Sequence, residues 1–345
     1  MKIGLGINYA GGFKEVAAEV AELEKAGLDV VFVPEAYSFD AVSALGDLAA
    51  VTERVQLASG VLQLYTRTPT LTAMTAAGLD YVSDGRYILG LGASGPQVME
   101  GFHGVPYDNP IGRTREVVEI CRQVWRRERL HHEGKNYTIP LPAGQGTGLG
   151  KSLKLINHPV RERIPVLLAA LGPKNVELAA EIAEGWQPIF YLPEKAEAVW
   201  GSALAAGKAK RDPALGPMEI YAGPALAIGN NVEGMREFIK PHVALYIGGM
   251  GAKGKNFYHN VATKYGYGAE ADRIQELYLS GDKEGAAKAV PDELVRDISL
   301  IGSREFVKER IAAFREAGVT VLNVVPFGAD TAERVKLIEE LRSLI

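Results

Sequence analysis

A single cysteine in 345 residues excludes a disulfide framework and a cysteine-rich metal site, and it suits a reducing compartment. No apolar run approaches the roughly 20 residues of a membrane span, so no membrane partner is expected. An excess of base is also missing: Lys and Arg number 38 against 42 Asp and Glu, a net charge of -4, which argues against nucleic acid as the main partner. Histidines number six, and His242 and His259 have no ligand partners at metal spacing, so no metal site is expected. Met1-Lys-Ile-Gly-Leu-Gly-Ile7 reads directly as a strand without a charged leader. These absences describe a soluble, cytoplasmic, globular protein.

What is present is an alternation. The chain exceeds the ~150 residues of one average domain, but α/β barrels routinely do so as single domains, and 47% hydrophobic content supplies a sizeable core. Strand patterns at Lys2–Ile7, Asp29–Val33, Val55–Ser59, Tyr87–Leu91, Ile164–Ala169, Trp186–Phe190, Glu219–Ile228 and Val319–Val325 alternate with helical periodicity. The helical stretches are Phe13–Ala26, Ala41–Val51, Leu71–Val82, Ile111–Arg126, Pro173–Ala183, Glu194–Ala209, Val232–Leu245, Arg304–Ala317 and Thr331–Leu344. Gly27 and Gly318 stand as helix C-caps, and Pro173 occupies a first helical turn. Repeated βα order favours a parallel sheet, and eight units point to a (β/α)8 TIM barrel whose working face is the set of loops after the strands. Two stretches exceed a minimal barrel: Leu130–His158, a Gly-rich flap or hairpin, and Gly248–Ser299, an insertion with helical pieces. Long structured loops of this kind serve as lids or interfaces, and the whole of 1–345 reads as one domain.

Two motif matches are misleading. Gly90-Leu-Gly-Ala-Ser-Gly95 satisfies G-x-G-x-x-G after a strand, but a dinucleotide site needs an unbroken helix next and an acid on a second strand about 20 residues on. Here Pro96, Gly101, Gly104, Pro106 and Pro110 interrupt, and Glu116 and Glu119 lie on a helix. Gly144-Gln-Gly-Thr-Gly-Leu-Gly-Lys-Ser152 approaches a P-loop but has Gln145 where glycine is required, with no hydrophobic strand before it.

The informative stretch is Val55-Gln-Leu-Ala-Ser-Gly-Val-Leu-Gln-Leu-Tyr-Thr-Arg-Thr-Pro69. It opens as a strand and stops reading like one at Ser59–Gly60–Val61, where glycine permits a turn or a close approach to a ligand. Further on, Leu89-Gly-Leu-Gly-Ala-Ser-Gly95 ends the fourth strand with residues small enough to admit a flat ring. Ala169-Ala-Leu171-Gly172-Pro173-Lys174-Asn175 joins the fifth strand to a helix whose first turn suits a phosphate. The same glycine and proline serve equally well as a plain strand-to-helix turn.

With Val33-Pro-Glu-Ala-Tyr37, Pro110-Ile-Gly-Arg-Thr-Arg-Glu116 and Gly302-Ser followed by Arg315-Glu-Ala-Gly318, these segments fall in the order seen in a known family. Over essentially its whole length the chain resembles the F420-dependent branch of the luciferase-like oxidoreductases, which includes methylenetetrahydromethanopterin reductase, F420-dependent glucose-6-phosphate dehydrogenase and bacterial luciferase. The resemblance implies a non-prolyl cis peptide at Gly60–Val61, with the cofactor ring against Ser59, Gly60 and Val61. It implies Glu35, Ser94 and Gly95 near that ring or its side chain, and the phosphate near Leu171, Gly172, Pro173, Lys174 and Asn175. It further implies hydride transfer between F420 and a small organic substrate, and a homodimer. An FMN-dependent monooxygenase on the same fold is the alternative, and an F420 carrier without turnover is a reading of another class.

One departure stands out. Dehydrogenase members carry a working His one position past the acid after the second strand; here that position is Ala36, following Glu35. Glu35 and Tyr37 become the candidates for proton donation or substrate binding. His103 is a further mouth-facing candidate, whereas His131 and His132, beside Arg126, Arg127 and Arg129, read as surface residues. Cys121, on an amphipathic helix, reads as a buried structural thiol.

Overall fold

The computed structural model describes residues 1–8 and 12–345. Eight strands pair in sequence order and close on themselves: β1 (Lys2–Gly6), β2 (Val30–Val33), β3 (Gln56–Ser59), β4 (Tyr87–Gly92), β5 (Val166–Ala169), β6 (Gly185–Gln187), β7 (Glu219–Ala222) and β8 (Val321–Pro326). Every pairing in the ring is parallel, and β1 against β8 closes it, with Lys2 opposite Val321 and Leu5 opposite Val324. All eight carboxyl ends therefore open on one face. The returning helices are α1 (Phe13–Lys25), α2 (Ala41–Val51), α3 (Pro69–Val82), α4 (Pro110–Trp125), α5 (Pro173–Ile182), α6 (Pro193–Lys208), α7 (Arg304–Glu316) and α8 (Thr331–Leu344). The (β/α)8 barrel expected from the sequence is the observed fold, with boundaries displaced only as element ends commonly are.

Side chains alternate across each strand. The larger core lies between the strands and the helices, and a smaller one fills the lumen with Val30, Phe32, Ala58, Ile88, Leu167, Tyr221 and Val321. Phe32 and Tyr221 meet edge to face there, ring centroids 5.6 Å apart. One layer nearer the carboxyl ends, the same alternation turns Gly6, Gly60, Gly92, Ala169, Gln187 and Asn323 inward. The lumen is thus plugged by aromatic and branched side chains and topped by a floor of small residues and two amides.

Three expectations are corrected. The strand expected over Glu219–Ile228 breaks at Gly223–Pro224, because proline cannot donate to the ladder; Ala225–Ile228 leaves the ring to pair with β8 and with Leu300–Gly302, a strand the sequence did not announce. The single helix expected over Val232–Leu245 is a 3-10 segment (Glu233–Phe238), a short α-helix (Lys240–Ala244) and a π turn (Leu245–Gly249). Pro241 forces the division, since it is tolerated in a first turn but not in a helix interior. The insertion therefore leaves the barrel at Ala225 rather than Gly248. The flap contains a two-stranded hairpin, His132–Glu133 with Thr138–Ile139, and is otherwise irregular. No helix among the described residues is long and apolar enough to cross a membrane.

Candidate active site at the carboxyl ends of the strands

After β3 the Gly60–Val61 peptide is cis, and the chain then pairs Leu62 and Gln63 with Leu91 and Gly92 of β4. Two glycines of β4 make this close approach possible. A Cβ on Gly90 would stand 1.8 Å from the Ser59 carbonyl oxygen, and one on Gly92 would stand 2.6 Å from Val61 Cγ2. The G-x-G pattern thus receives the bulge of the neighbouring strand. Ser59 ties the two together: its fully buried hydroxyl donates to the Gly90 carbonyl at 2.8 Å and accepts the Gly90 N–H at 2.9 Å. The Tyr87 hydroxyl lies 3.0 Å from it on the side away from the lumen. Ser59 therefore shapes the floor through backbone, while Gly60 and Val61 form its surface.

Glu35 follows β2 and is held by Arg67, which follows the bulge. The guanidinium is bidentate, 2.6 Å to Oε1 and 2.8 Å to Oε2, and also donates to Asp40 Oδ1 at 2.8 Å. Glu35 Oε2 accepts the Ala41 N–H at 3.2 Å, and Asp40 caps α2 through the Ser43 N–H. The Glu35 and Arg67 side chains are 9% and 13% exposed, so the pair is nearly dry. Hydrogen bonding to Glu35 pushes the Arg67 pKa up. Gln63 adds a second clip, its amide donating toward the Glu35 and Ala36 carbonyls at 3.4 and 3.3 Å. Glu35 is a cornerstone of the mouth with its acceptors occupied. Tyr37, two residues on, is exposed at the rim, its ring 6.0 Å from Phe102.

The β5 end is fixed by indoles. Trp186 Nε1 donates to the Ala170 carbonyl at 2.9 Å, and Trp200 Nε1 to the Leu171 carbonyl at 3.1 Å. Gly172 then begins α5 without a side-chain cap, leaving first-turn N–H groups pointing at the mouth. Lys174 is largely exposed and pairs with Glu177 one turn along, and Phe257 lies against Gly172. Ser94, with φ of 59°, and Gly95 complete the neighbouring rim, where the Tyr107 hydroxyl donates to the Ser94 carbonyl at 3.4 Å.

The insertion covers one side of the mouth with rings. Phe190, just beyond β6, meets His242 at 5.9 Å and Tyr246 at 5.6 Å. His242 and Tyr246 are 4.7 Å apart, and Tyr246 meets Tyr258 at 4.8 Å. The Tyr258 hydroxyl pKa is pushed up chiefly by burial, and across the mouth Tyr107 stacks obliquely on Tyr65 at 5.2 Å. An arc of aromatic side chains therefore runs from the β6 loop into the insertion, with a second aromatic pair by the β3 loop. His103 has its ring on Phe102 at 5.1 Å and its Nε2 buried without a hydrogen-bond partner among the described residues.

Sequence reasoning did not find Gln63, the Glu35–Arg67 pair, the two indoles or the arc, because each depends on contacts between distant segments. The sequence also misplaced His132, which is buried, Nε2 3.2 Å from Glu116 Oε2. Cys121 is buried as expected, its thiol pKa pushed up by desolvation. Among the described residues no group of three or more His, Cys, Asp or Glu could hold a metal ion. Three buried amide oxygens near the floor, Gln63 Oε1, Gln187 Oε1 and Asn323 Oδ1, lack a hydrogen-bond partner among the described residues. Buried polar atoms are rarely left so, which makes these three candidate acceptors for the N–H groups of a ligand.

Residues 1–321 match the family model described as luciferase-like monooxygenase. The chain is 44% identical over 344 residues to a Mycobacterium tuberculosis protein whose name reads "putative coenzyme F420-dependent oxidoreductase", with 97% of each covered. It is 28% identical over 345 residues to 5,10-methylenetetrahydromethanopterin reductase of Archaeoglobus fulgidus, covering 98% of this chain and 97% of that one. Among solved structures, the F420-dependent tetrahydromethanopterin reductase of Methanopyrus kandleri superposes with a TM-score of 0.81 at 23% identity, over 98% and 97% of the two chains. The FMN complex of the oxygenating constituent of 3,6-diketocamphane monooxygenase from Pseudomonas putida superposes at 0.67 with 20% identity, over 99% and 96%.

Proposed function

The chain belongs to the luciferase-like monooxygenase family, and from that premise we infer that it is an F420-dependent oxidoreductase acting on a small organic substrate. The observation that carries this is the full-length relationship, at 44% identity, to a protein named for that cofactor. The FMN-bound neighbour is alike in fold alone.

The residues present fit the cofactor. Gly60, Val61 and Gly92 offer a flat backbone floor, and the unpartnered Gln63, Gln187 and Asn323 oxygens suit the N–H edge of a flavin-like ring. The uncapped N-terminus of α5 at Gly172, Pro173, Lys174 and Asn175 suits a phosphate, with Leu171 held in place by Trp200. Ser94 and Gly95 would border the ring; Glu35 and Ser59 would act by holding the loops that carry it, and Tyr37 by closing the rim. Bound F420 supplies two-electron hydride chemistry. The protein supplies placement and shielding from water. The chain from 1 to 345 acts as one domain in the cytoplasm and pairs with a second copy.

Equilibrium binding of F420 and of FMN to the purified protein, followed by fluorescence, tests the reading. F420 is expected to bind tightly and FMN weakly. The reverse preference moves the assignment to an oxygenase. Bound reduced F420 that no carbonyl or unsaturated acceptor oxidises identifies a carrier.

A further inference from the structure

We propose that His242 is the group that exchanges a proton with the substrate while a hydride passes between the substrate and F420. The inference rests on the F420 reading and names the chain's own partner in that reaction.

Reducing a carbonyl to an alcohol takes a hydride on carbon and a proton on oxygen, so the mouth needs a proton-exchanging group. The position after Glu35 that could carry an imidazole holds Ala36. Both Glu35 oxygens accept from Arg67, and one of them also accepts from Ala41. Asp40 is taken up by Arg67 and Ser43, and Tyr37 stands 67% exposed at the rim. His103 is packed on Phe102 with Nε2 buried. His242 differs from all of these. It packs between Phe190, just beyond β6, and Tyr246, it keeps part of its surface in solvent for re-protonation, and neither ring nitrogen has a hydrogen-bond partner among the described residues.

Its surroundings also favour the neutral ring. Desolvation by the neighbouring side chains lowers its pKa below the usual 6.5, and no charged group opposes or assists. On the elements packed around it, Lys240 pairs with Glu237 and Asp292, Asp272 with His259, Arg273 with Glu276 and Glu284 with Lys288, Arg236 and Lys283 lie over the rings of Phe306 and Tyr278, and Glu233 and Glu270 are exposed. The nearby phenols are Tyr246 and Tyr258, the latter with its pKa raised by burial. At pH 7 the imidazole is mostly neutral and is a base. In the oxidising direction the substrate C–H bond breaks with its electron pair going as hydride to oxidised F420. The O–H proton goes to His242, and the C=O bond forms. In the reducing direction each transfer reverses, reduced F420 provides the hydride, and the protonated imidazole delivers the proton. That direction is favoured as pH falls toward the pKa of His242.

The test is imidazole NMR on the full-length protein with isotope-labelled histidine, the His242 resonance assigned by its loss in H242Q. Its midpoint is expected below 6.5, and saturating F420 is expected to shift both resonance and midpoint. With reduced F420 and cyclohexanone as the probe acceptor, H242Q and H242N should lose at least tenfold in kcat. KM for the acceptor should stay within about twofold, and the wild-type ionisation should vanish from the pH profile. A His242 resonance unmoved in a protein that demonstrably binds F420, or variants with unchanged kcat and pH profile, overturns the proposal. If the wild type fails to bind F420, it is the functional reading that falls, and the proposal with it.

Discussion

A guanidinium shared by two carboxylates, with its principal partner only 9% exposed, sets Arg67 apart from the many surface ion pairs of the chain. Surface pairs contribute little, but removing one partner of a buried pair strands a charge out of water, at a cost of about 3–5 kcal/mol. Arg67→Met should therefore lower unfolding stability by roughly 3 kcal/mol in urea titrations. Adding Glu35→Gln should restore most of that loss, because the stranded charge is then gone. A loss unchanged in the double variant would mean that Arg67 acts through Asp40 or through packing. Glu35 and Arg67 are individually unremarkable in the sequence, and 32 positions separate them. Their partnership is a product of the barrel, which sets the ends of β2 and β3 side by side.

The same holds for the hairpin over α4. Glu116 accepts from the backbone N–H groups of Lys135, Asn136 and Tyr137, from the Asn136 amide at 2.7 Å, and faces His132 at 3.2 Å. Desolvation alone would raise its pKa, but the hydrogen bonds from Asn136, His132 and the backbone outweigh it, and the carboxyl is held below its usual 4.5. The stability it contributes is therefore present above pH 4.5 and is lost as pH falls through the lowered folded-state value. Protection of the Lys135, Asn136 and Tyr137 amides, relative to their intrinsic exchange rates, should fall below that pH in the wild type. In Glu116→Gln it should be low already at pH 7. Equal protection in both would show the hairpin to be held by its other contacts. Sequence reasoning assigned His132 to solvent because its neighbours are basic, a local pattern that is blind to a carboxylate arriving from 16 positions away. It also merged the pieces of Val232–Leu245 into one helix, since apolar periodicity persists through Pro241 while the hydrogen-bond ladder does not.

At the scale of the molecule, the alternation of strands and helices was legible almost throughout, because each βα unit buries its own apolar face and states its period locally. Among the strands, the departures were the short ones, Ala225–Ile228 and Leu300–Gly302, whose pairing is decided by partners distant in sequence. The exterior carries one feature that a lone barrel does not need. Helix α3 exposes Leu71, Met74, Tyr81 and Val82 at helical spacing, at 46%, 53%, 67% and 54%. An apolar face of this kind fits an interface, and it is where the second copy is proposed to dock. The wild type should sediment as a dimer, and Met74→Glu with Tyr81→Glu should sediment as a monomer with an unchanged circular dichroism spectrum. A monomeric wild type would remove the proposal. The floor of the mouth has a different consequence. Its shape is written in main chain, by the approach of Ser59–Val61 to Gly90 and Gly92, where an added methyl has no room. Substitution can redecorate the rim of Tyr37, Phe102 and the insertion freely, but it has little purchase on the surface beneath. Over evolutionary time such a barrel would change what it acts upon more readily than the means by which it acts.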